Sequence, residues 1–354
     1  MTIERQTQHS TQTSAPIQLS SSTQKILVLF CGGTILMEAV DDGSLDVPGR
    51  EAALTSLKSL GLMLRSIADI DLDYIVNIDS SNMHPVVWEQ IADKIIERYE
   101  DYDGFVLIHG TDTMAYSSSA LALMLRDLGK PVVLTGAQIP ASQIETDTRR
   151  NLINAVRVAT MDLSGVYVVF DQAVFAGGRV TKVSESRLNA FESINERPVA
   201  EICVDIRVRK EAPTRHDRRP TLVKGFDTSV AVLSLFPGIP CANLLALLET
   251  GVKGFVIRAF GSGNIPDTIV PFLERAREAD VPVVLGTQCI DGRTVIGLYE
   301  AGKRALDLSV IQAHDMSLET MTVKLMWLLG QGYDSSTIAE KMHTSYTGEV
   351  DVCS

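Results

Sequence analysis

Short apolar runs separated by amphipathic segments recur along most of the chain. The first run, Ile26-Leu27-Val28-Leu29-Phe30, is continuous and leads into Cys31 and two glycines. A continuous apolar run of this length, bounded by residues that break regular structure, predicts a strand buried on both faces. Similar runs predict strands at residues 73–78, 104–109, 131–135, 166–170, 229–236, 254–260 and 281–285.

Between these runs, apolar residues recur at helical spacing. In residues 86–102, for example, Trp88, Ile91, Ile95 and Tyr99 fall on one helical face. Further helices are predicted at residues 267–278, 318–329 and 336–342. Because buried strands alternate with helices, we predict an α/β fold with a mostly parallel sheet covered by helices on both faces.

A polar stretch rich in proline and arginine interrupts this alternation at residues 210–222 and predicts a linker. The linker would divide the chain into a larger N-terminal α/β domain at residues 25–209 and a smaller C-terminal α/β domain at residues 223–354. Residues 1–24 are rich in Ser, Thr and Gln and lack the apolar core of a secretion signal. They predict a disordered tail.

Charge and cysteine content exclude several classes of protein. The 354 residues include 32 Lys and Arg against 44 Asp and Glu, a net charge of −12, and no basic cluster resembles a nucleic-acid footprint. No apolar stretch is long enough for a membrane span. The five cysteines are widely spaced and odd in number, which favours a reduced, cytoplasmic protein without a disulfide framework. We therefore expect neither a nucleic acid nor a membrane as partner.

Cofactor motifs are absent or incomplete in the sequence. The segment GSGN at residues 261–264 lacks the third glycine of a dinucleotide fingerprint, and there is no P-loop and no HExxH motif. The six histidines are scattered, so no metal site is predicted. His84 and His109, each beside a turn, are expected to make structural hydrogen bonds. We expect no cofactor.

Polar side chains gather at three predicted strand ends, at residues 79–82, 109–113 and 181–182. Hydroxyls accompanied by a carboxylate and a lysine suggest an activated nucleophile, because a lysine with a lowered pKa can take a proton from a hydroxyl. Asp and Ser after a strand also serve as helix caps, so each segment alone leaves both interpretations open. Three such segments beside a Gly-Gly turn favour a functional site.

Six segments, in this order and spacing, resemble the bacterial L-asparaginase family: CGGTI, DSSNM, HGTDTMAYSSSAL, LTGAQIP, TKVSESRLNAF and FGSGN. The cytoplasmic type I branch is the most similar, and the tRNA-amidotransferase subunit that releases ammonia from glutamine is more distant. The resemblance implies an enzyme that hydrolyses a side-chain amide through an acyl-enzyme, with its active site on the N-terminal domain near a subunit interface. It also implies a homodimer or homotetramer and an amino-acid amide as small-molecule substrate.

The resemblance also assigns roles to individual residues by position. The catalytic set comprises Cys31, Thr111, Asp112 and Lys182, of which the last three activate a water or the nucleophile. The substrate-binding set comprises Asp79, Ser80, Ser81, Gly110, Ala137 and Asn264. Of these, Asn264 matches a residue that reaches into a neighbouring subunit's site. Thr181 and Cys289 match an effector site for asparagine.

Two departures from the family pattern concern the nucleophile. The family motif is Thr-Gly-Gly-Thr-Ile, and its first threonine, which we take as the nucleophile, is replaced here by Cys31. The loop at residues 37–50 lacks a tyrosine that the family has there. A thiol, with a pKa of about 8.5, needs less activation than an alcohol. We therefore expect Cys31 to ionise beside Lys182 and to form a thioester.

Three alternatives remain open at this stage. A thioester reacts well with amines, so the protein could be an amide-forming acyltransferase. Cysteine also packs as a small apolar residue, in which case the chain could be an inactive homologue that only binds an amino acid. Direct attack by water or by Thr111 would also tolerate a cysteine at position 31.

Overall fold

The computed structural model describes residues 24–33, 61–296 and 306–352, together with the short pieces 38–39, 45–46 and 55. The predicted disordered tail lies outside these ranges apart from Gln24, and so does most of the loop that lacks a tyrosine. Within the described ranges, no helix combines the length and the apolar character needed to cross a bilayer.

Strands and helices alternate along the described chain. The strands are β1 (Lys25–Gly32), β2 (Glu38–Ala39), β3 (Leu45–Asp46), β4 (Asp69–Ile78), β5 (Gly104–Ile108), β6 (Leu125–Arg126), β7 (Pro131–Thr135), β8 (Gly165–Phe170), β9 (Ala173–Ala176), β10 (Val180–Lys182), β11 (Phe191–Ser193), β12 (Ala200–Ile202), β13 (Ile206–Val208), β14 (Thr221–Leu222), β15 (Val230–Ser234), β16 (Gly254–Ala259), β17 (Val283–Thr287) and β18 (Ile311–Gln312). The α-helices are α1 (Pro85–Glu97), α2 (Met114–Met124), α3 (Thr148–Ala159), α4 (Cys241–Glu249), α5 (Val270–Glu278), α6 (Leu318–Gly330) and α7 (Ser335–Met342).

The larger sheet has the spatial order β13-β12-β9-β8-β7-β5-β1-β4. Strands β4, β1, β5, β7 and β8 are parallel, whereas β9, β12 and β13 extend the sheet in antiparallel pairs. This confirms the predicted mostly parallel sheet. The antiparallel extension was not predicted, because strands of three or four residues are too short to show a period-two pattern.

Strand β1 is buried on both faces, as its continuous apolar run predicts. Leu27 and Leu29 face a core that includes residues of α1 and α2, while Val28 and Phe30 face a second core that includes residues of α3. Because successive side chains of a strand alternate between faces, Cys31 belongs to the same core as Leu27 and Leu29.

The smaller sheet is fully parallel in the order β15-β16-β17-β18. Helices α4 and α5 share a core with one face of this sheet, and α6 packs against β15, β16 and β17. Helix α6 also packs against α2, so the two sheets share one apolar core.

The stretch at residues 210–222 ends in a short strand that belongs to the N-terminal half. Strand β14 pairs antiparallel with β6, which follows α2 directly. The division of the chain into domains at residues 25–209 and 223–354 stays a prediction.

Candidate functional site

The ends of strands β1, β4 and β5 meet at one edge of the larger sheet. Gly32 has φ +102° and Gly33 has φ +100°, a region that favours glycine. A Cβ added to Gly32 would lie 2.1 Å from the carbonyl oxygen of Ile78, and one added to Gly33 would lie 2.6 Å from the amide nitrogen of Gly110. The two glycines therefore let the chain leave β1 in contact with the segment that carries Thr111.

A lysine, a threonine and an aspartate meet at this edge. Lys182, the last residue of β10, donates from Nζ to Thr111 Oγ1 at 2.8 Å and to Asp112 Oδ1 at 2.6 Å. Thr111 is buried, the Lys182 side chain is 15% exposed, and the Asp112 side chain is 65% exposed. The structure thus brings together three of the four predicted catalytic residues, at a place that solvent reaches from the Asp112 side.

Gln138 completes the hydrogen bonding of the Thr111 hydroxyl, and sequence reasoning missed it. Thr111 Oγ1 donates to Gln138 Oε1 at 3.1 Å while it accepts from Lys182. The Gln138 amide nitrogen lies 3.0 Å from the carbonyl oxygen of Glu185 and 3.3 Å from those of Ser184 and Arg187. Gln138 therefore ties Thr111 to the loop that follows Lys182. Its only sequence signal was its place in LTGAQIP, beside the predicted Ala137.

The predicted substrate-binding residues of the N-terminal half lie around Gly110. A Cβ added to Gly110 would lie 2.6 Å from Ser80 Cβ and Oγ, and Thr113 Oγ1 donates to the Ser80 carbonyl at 2.8 Å. Ser80 is buried and Ser81 is exposed. Ala137, which is buried, directly precedes the Gln138 that bonds Thr111.

Asp79 has a structural role that the capping interpretation anticipates. It precedes the short 3-10 helix Ser80–Asn82, and its carboxylate accepts from the Ser81 backbone N–H at 2.8 Å. That hydrogen bond lowers the pKa of Asp79 below its ordinary value. The carboxylate is therefore charged at neutral pH, and capping does not prevent it from also binding a substrate amine.

Cys31 makes no hydrogen bond to Thr111, Asp112 or Lys182 in the described part of the chain. It is 1% exposed and packs in the apolar core with Leu27 and Leu29. Desolvation raises the pKa of its thiol to about 12, and no neighbouring cation offsets this. No hydrogen bond links the thiol to any residue in the described ranges. This environment disfavours a thiolate, because an apolar core raises the pKa of a thiol, and the role of Cys31 as the nucleophile stays a prediction.

His109 belongs to a closed hydrogen-bond chain beneath the site. Trp88 Nε1 donates to Ser117 Oγ, and Ser117 Oγ lies 2.8 Å from His109 Nε2. His109 Nδ1 lies 2.6 Å from the Gly110 carbonyl oxygen, which only accepts, so Nδ1 carries the proton and Nε2 accepts from Ser117. Full burial lowers the pKa of His109 to about 4. His109 is therefore a neutral, structural hydrogen-bonding residue.

Asn264 lies in the C-terminal half, where it closes the GSGN turn. Its backbone N–H donates to the Phe260 carbonyl at 2.8 Å, and its own carbonyl accepts from the Phe260 N–H at 3.0 Å. The structure does not bring Asn264 into hydrogen-bond contact with Thr111, Asp112 or Lys182 within the described part of the chain. Its contact with a neighbouring subunit's site stays a prediction.

Thr181 and Cys289, the predicted effector residues, line one cavity of about 310 Å³ that Lys182 also lines. Thr181 Oγ1 donates to Glu319 Oε1 at 2.5 Å, and burial raises the pKa of Glu319. Glu319 Oε2 and Arg258 Nε are buried in this cavity and have no hydrogen-bond partner among the residues described. Sequence reasoning missed both charged residues, since no motif carries them.

A metal centre has no support in the described ranges, which contain no group of three His, Cys, Asp or Glu side chains placed to hold an ion. The charged groups at the strand ends are instead organised around Lys182.

Two family descriptions together cover most of the chain. Residues 25–214 match "Asparaginase, N-terminal", and residues 229–342 match "Glutaminase/Asparaginase C-terminal domain". Relatives include L-asparaginase 1 of Escherichia coli strain K12, which is 35% identical over 336 residues, 92% of this chain and 98% of the relative. A glutamyl-tRNA(Gln) amidotransferase component of Pyrococcus abyssi is 38% identical over 295 residues, 80% of this chain and 67% of the relative.

Solved structures are similar over nearly the whole length. The thermostable L-asparaginase from Thermococcus kodakarensis has a TM-score of 0.85 at 34% identity, covering 92% of this chain and 99% of that one. L-asparaginase I from Vibrio cholerae also has a TM-score of 0.85, at 32% identity, covering 94% of this chain and 100% of that one. These matches extend through both sheets.

Proposed function

Because this chain belongs to the asparaginase family, as a type I homologue and therefore an amidohydrolase, we propose that it hydrolyses the side-chain amide of L-asparagine or a close analogue. The reaction would pass through an acyl-enzyme and release ammonia. The observation that carries this proposal is the hydrogen-bonded set of Thr111, Lys182 and Asp112 at the open edge of the larger sheet.

The proposed reaction uses this set as a proton relay. A hydroxyl oxygen attacks the amide carbon, and its proton passes through Thr111 Oγ1 to Lys182, whose amine must be neutral to accept it. The relay returns that proton to the amide nitrogen as the carbon–nitrogen bond breaks and ammonia leaves. Water then attacks the acyl ester, giving its proton through the same relay to the departing hydroxyl, and a carboxylate product forms. Asp112 holds the Lys182 amine in position through the 2.6 Å contact.

We assign the attacking hydroxyl to Thr34, the second threonine position of the family motif, in place of Cys31. The Cys31 thiol is buried in an apolar core and burial raises its pKa to about 12, which opposes the thiolate that would attack the amide. Thr34 follows Gly33 directly in the chain, and Gly33 touches the backbone of Gly110, next to Thr111. Thr34 itself lies outside the described residues.

Two of the alternatives are weakened, each by a different observation. Amide-forming acyl transfer was tied to a Cys31 thioester, which a buried thiol does not favour. An inactive, binding-only homologue would have no need for a lysine that donates to both Thr111 and Asp112. Direct attack by Thr111 stays the second candidate, because its hydroxyl lies within the relay.

The proposal is tested by measuring ammonia release from L-asparagine for Cys31→Ala, Thr34→Ala and Thr111→Val. We expect Cys31→Ala to keep kcat/KM within a few fold of the unmodified chain. Thr34→Ala and Thr111→Val should each lose about 10³-fold or more, since each removes a group that acts in the transition state. Intact-mass spectrometry during turnover then locates the acyl adduct.

Each outcome separates two interpretations. An adduct that peptide fragmentation places on Thr34 supports the assignment, and an adduct on Thr111 assigns attack to that residue. Loss of activity in Cys31→Ala together with an adduct on Cys31 would restore the thioester mechanism. If the unmodified chain releases no ammonia from asparagine or related amides, while asparagine still raises its melting temperature, the binding-only interpretation is correct.

Regulation, assembly and location are further parts of the proposal. An amino acid fits the cavity lined by Thr181 and Cys289, because Arg258 would receive its α-carboxylate and Glu319 its α-ammonium group. We also propose a homodimer or homotetramer in which Asn264 completes a neighbouring site, and a cytoplasmic location.

A further inference from the structure

A cavity of about 400 Å³ lies between the N-terminal half and the last described residues of the chain. On one side it is lined by Arg126 of β6 together with Arg209 and His216, and on the other by residues 346–348. None of the residues assigned to amide hydrolysis or to the effector cavity lines it. It is therefore distinct from both sites already described.

Three arginines and three carboxylates line the cavity: Arg126, Arg209 and Arg218 against Asp127, Glu196 and Glu211. Arg209 pairs with Glu196 at 2.5 Å, and Arg218 pairs with Asp127 at 3.5 Å. Arg126 forms no ion pair with any carboxylate in the described ranges. Its guanidinium therefore has no direct carboxylate partner in the cavity wall.

Several nitrogen atoms of this cavity also lack hydrogen-bond partners. Arg126 Nε, Arg126 Nη2, Arg209 Nε and His216 Nδ1 are all buried, and none has a hydrogen-bond partner in the described part of the protein. Buried polar atoms are nearly always paired, so four unpaired nitrogens around one cavity call for a shared explanation. A ligand rich in acceptor oxygens supplies one.

Aromatic stacking holds the Arg126 guanidinium in place. Its Cζ lies 3.8 Å from the centroid of the Tyr346 ring and 5.1 Å from that of Trp327. Rings bind the faces of a guanidinium and leave its N–H edge available. Strand β6, which carries Arg126, is itself fixed by its pairing with β14. The side chain is thus preorganised to present hydrogen-bond donors.

We propose that this cavity binds a small oxyanion, a carboxylate or a phosphate, through the guanidinium edge of Arg126. A planar guanidinium matches the two oxygens of such a group and forms charge-assisted hydrogen bonds with them. The volume suits a small molecule, and the acidic residues Asp127, Glu196 and Glu211 in the lining disfavour a polyanion such as a nucleic acid.

Binding at this place would fasten the end of the described chain to the N-terminal half. Gly348 lines the cavity and its carbonyl accepts from Arg179 Nε at 2.8 Å. Next to it, Glu349 forms a fully buried ion pair with Lys324 at 2.7 Å. A ligand that bridges Arg126 and residues 346–348 binds the folded state alone, so above its dissociation constant it raises the melting temperature with the logarithm of its concentration.

The experiment measures the melting temperature of the full chain during titration with inorganic phosphate, sulfate or succinate, with sodium chloride at matched ionic strength. We expect a rise that follows this logarithmic dependence with at least one oxyanion and no such rise with chloride. Arg126→Met, which keeps an unbranched side chain but removes the guanidinium, should lose the rise. The matched control Arg275→Met, which removes a surface arginine of helix α5 that is 65% exposed, should keep it. Comparison of phosphate with succinate separates the two oxyanion classes.

Arg126→Lys and calorimetry keep the proposal falsifiable if Arg126→Met fails to fold. Lysine retains the charge without the planar donor edge, so calorimetry should show at least tenfold weaker binding than in the unmodified chain. Equal rises in Arg126→Met and in the unmodified chain would overturn the proposal, as would equal effects of chloride and the oxyanions. The absence of any saturable binding heat or melting-temperature rise with all three oxyanions would overturn it as well.

Discussion

Two hydroxyl groups of this protein lie within hydrogen-bond distance of a basic side chain, and they have opposite surroundings. Thr111 Oγ1 accepts from Lys182 at 2.8 Å, at an edge where Asp112 reaches solvent. Ser117 Oγ lies 2.8 Å from His109 Nε2, but both residues are completely buried. Serine and histidine are the more familiar catalytic pair, yet here they hold the core together.

The difference lies in charge and access. Lys182 is held by the carboxylate of Asp112 at the edge of the protein, whereas burial lowers the pKa of His109 to about 4 and keeps its ring neutral. His109 also uses both ring nitrogens for internal partners. A nucleophile and a base at the right distance therefore do not define an active site unless a substrate can reach them and protons can be exchanged there.

The largest expected effect comes from comparing two variants. One removes the amine of Lys182 from the solvent-accessible pair with Thr111, and the other removes the hydroxyl of Ser117 from the buried pair with His109. Lys182→Met should lower kcat/KM for ammonia release by about 10³-fold or more, because it interrupts the proton relay. Ser117→Ala should leave kcat/KM within a few fold. It should lower the free energy of unfolding by about 1–3 kcal/mol, because it leaves His109 Nε2 and Trp88 Nε1 without partners in the core.

Lys253→Met is the matched control for the lysine, since it removes only an ion pair with Asp227 at the surface and should leave both kcat/KM and stability nearly unchanged. Denaturant unfolding and steady-state kinetics on the same preparations supply both readouts. The comparison fails if Ser117→Ala loses as much activity as Lys182→Met while its fold stays intact.

The pH dependence of stability gives a second, smaller contrast. The pKa of His109 is about 4 in the folded protein against an ordinary value of 6.5, so between these pH values the unfolded chain binds a proton that the folded one does not. The free energy of unfolding therefore falls as pH decreases from 6.5 towards 4, by about 2 kcal/mol at pH 5 from this group. Above pH 6.5 the contribution is fully present.

Denaturant unfolding at pH 7 and pH 5 isolates the contribution of His109 to this loss of stability, by comparing the unmodified chain with His109→Gln. The variant should lose less stability than the unmodified chain on the same shift. His84→Asn is the control, because His84 is exposed and accepts from the Val86 N–H as a helix cap, a role that asparagine also fills. An unchanged pH dependence in His109→Gln would show that the ring is not held neutral.

Much of this fold was predictable from sequence. The central strands are continuous apolar runs because helices cover both faces of the sheet. Helices α1 and α3 each carry an apolar stripe, whereas α2 is buried on nearly all sides and shows none. Strands β12 and β13 have only three residues each. Each is a strand because it forms hydrogen bonds with a neighbouring strand of the sheet. The local sequence pattern does not indicate that pairing.

The site was predictable in part, through the family resemblance. HGTDT and TK supplied Thr111, Asp112 and Lys182, which the structure brings together. The environment of Cys31 was not predictable, since both faces of a central parallel strand are buried and the apolar run does not show which residue last belongs to the core. The end of the buried strand is set by the turn at Gly32 and Gly33, whose position depends on contacts with the backbone of Ile78 and Gly110. These contacts join residues far apart in the chain, so the local sequence does not show them.

The smallest expected effect concerns thiol labelling, which tests the placement of Cys31 directly. Cys203 and Cys289 are exposed, whereas Cys31 is 1% exposed with a pKa raised to about 12. Alkylation requires a thiolate that the reagent can reach. Iodoacetamide at pH 8 should therefore modify Cys203 and Cys289 in the folded protein and leave Cys31 unmodified until denaturant is added, as peptide mass spectrometry would show.

Ammonia release after labelling completes the argument, because it separates a buried thiol from a protected catalytic one. Since Cys289 lines the cavity that Lys182 also lines, the measurement is repeated with Cys289→Ser to remove effects of its modification. If Cys31 is a core residue, the labelled Cys289→Ser variant keeps its activity with or without asparagine present during labelling. The opposite result is alkylation of Cys31 in the folded protein, with activity lost in proportion to labelling and with asparagine protecting the thiol. In that case Cys31 lies in the active site, and the comparison of the two hydroxyl pairs no longer identifies the reacting group.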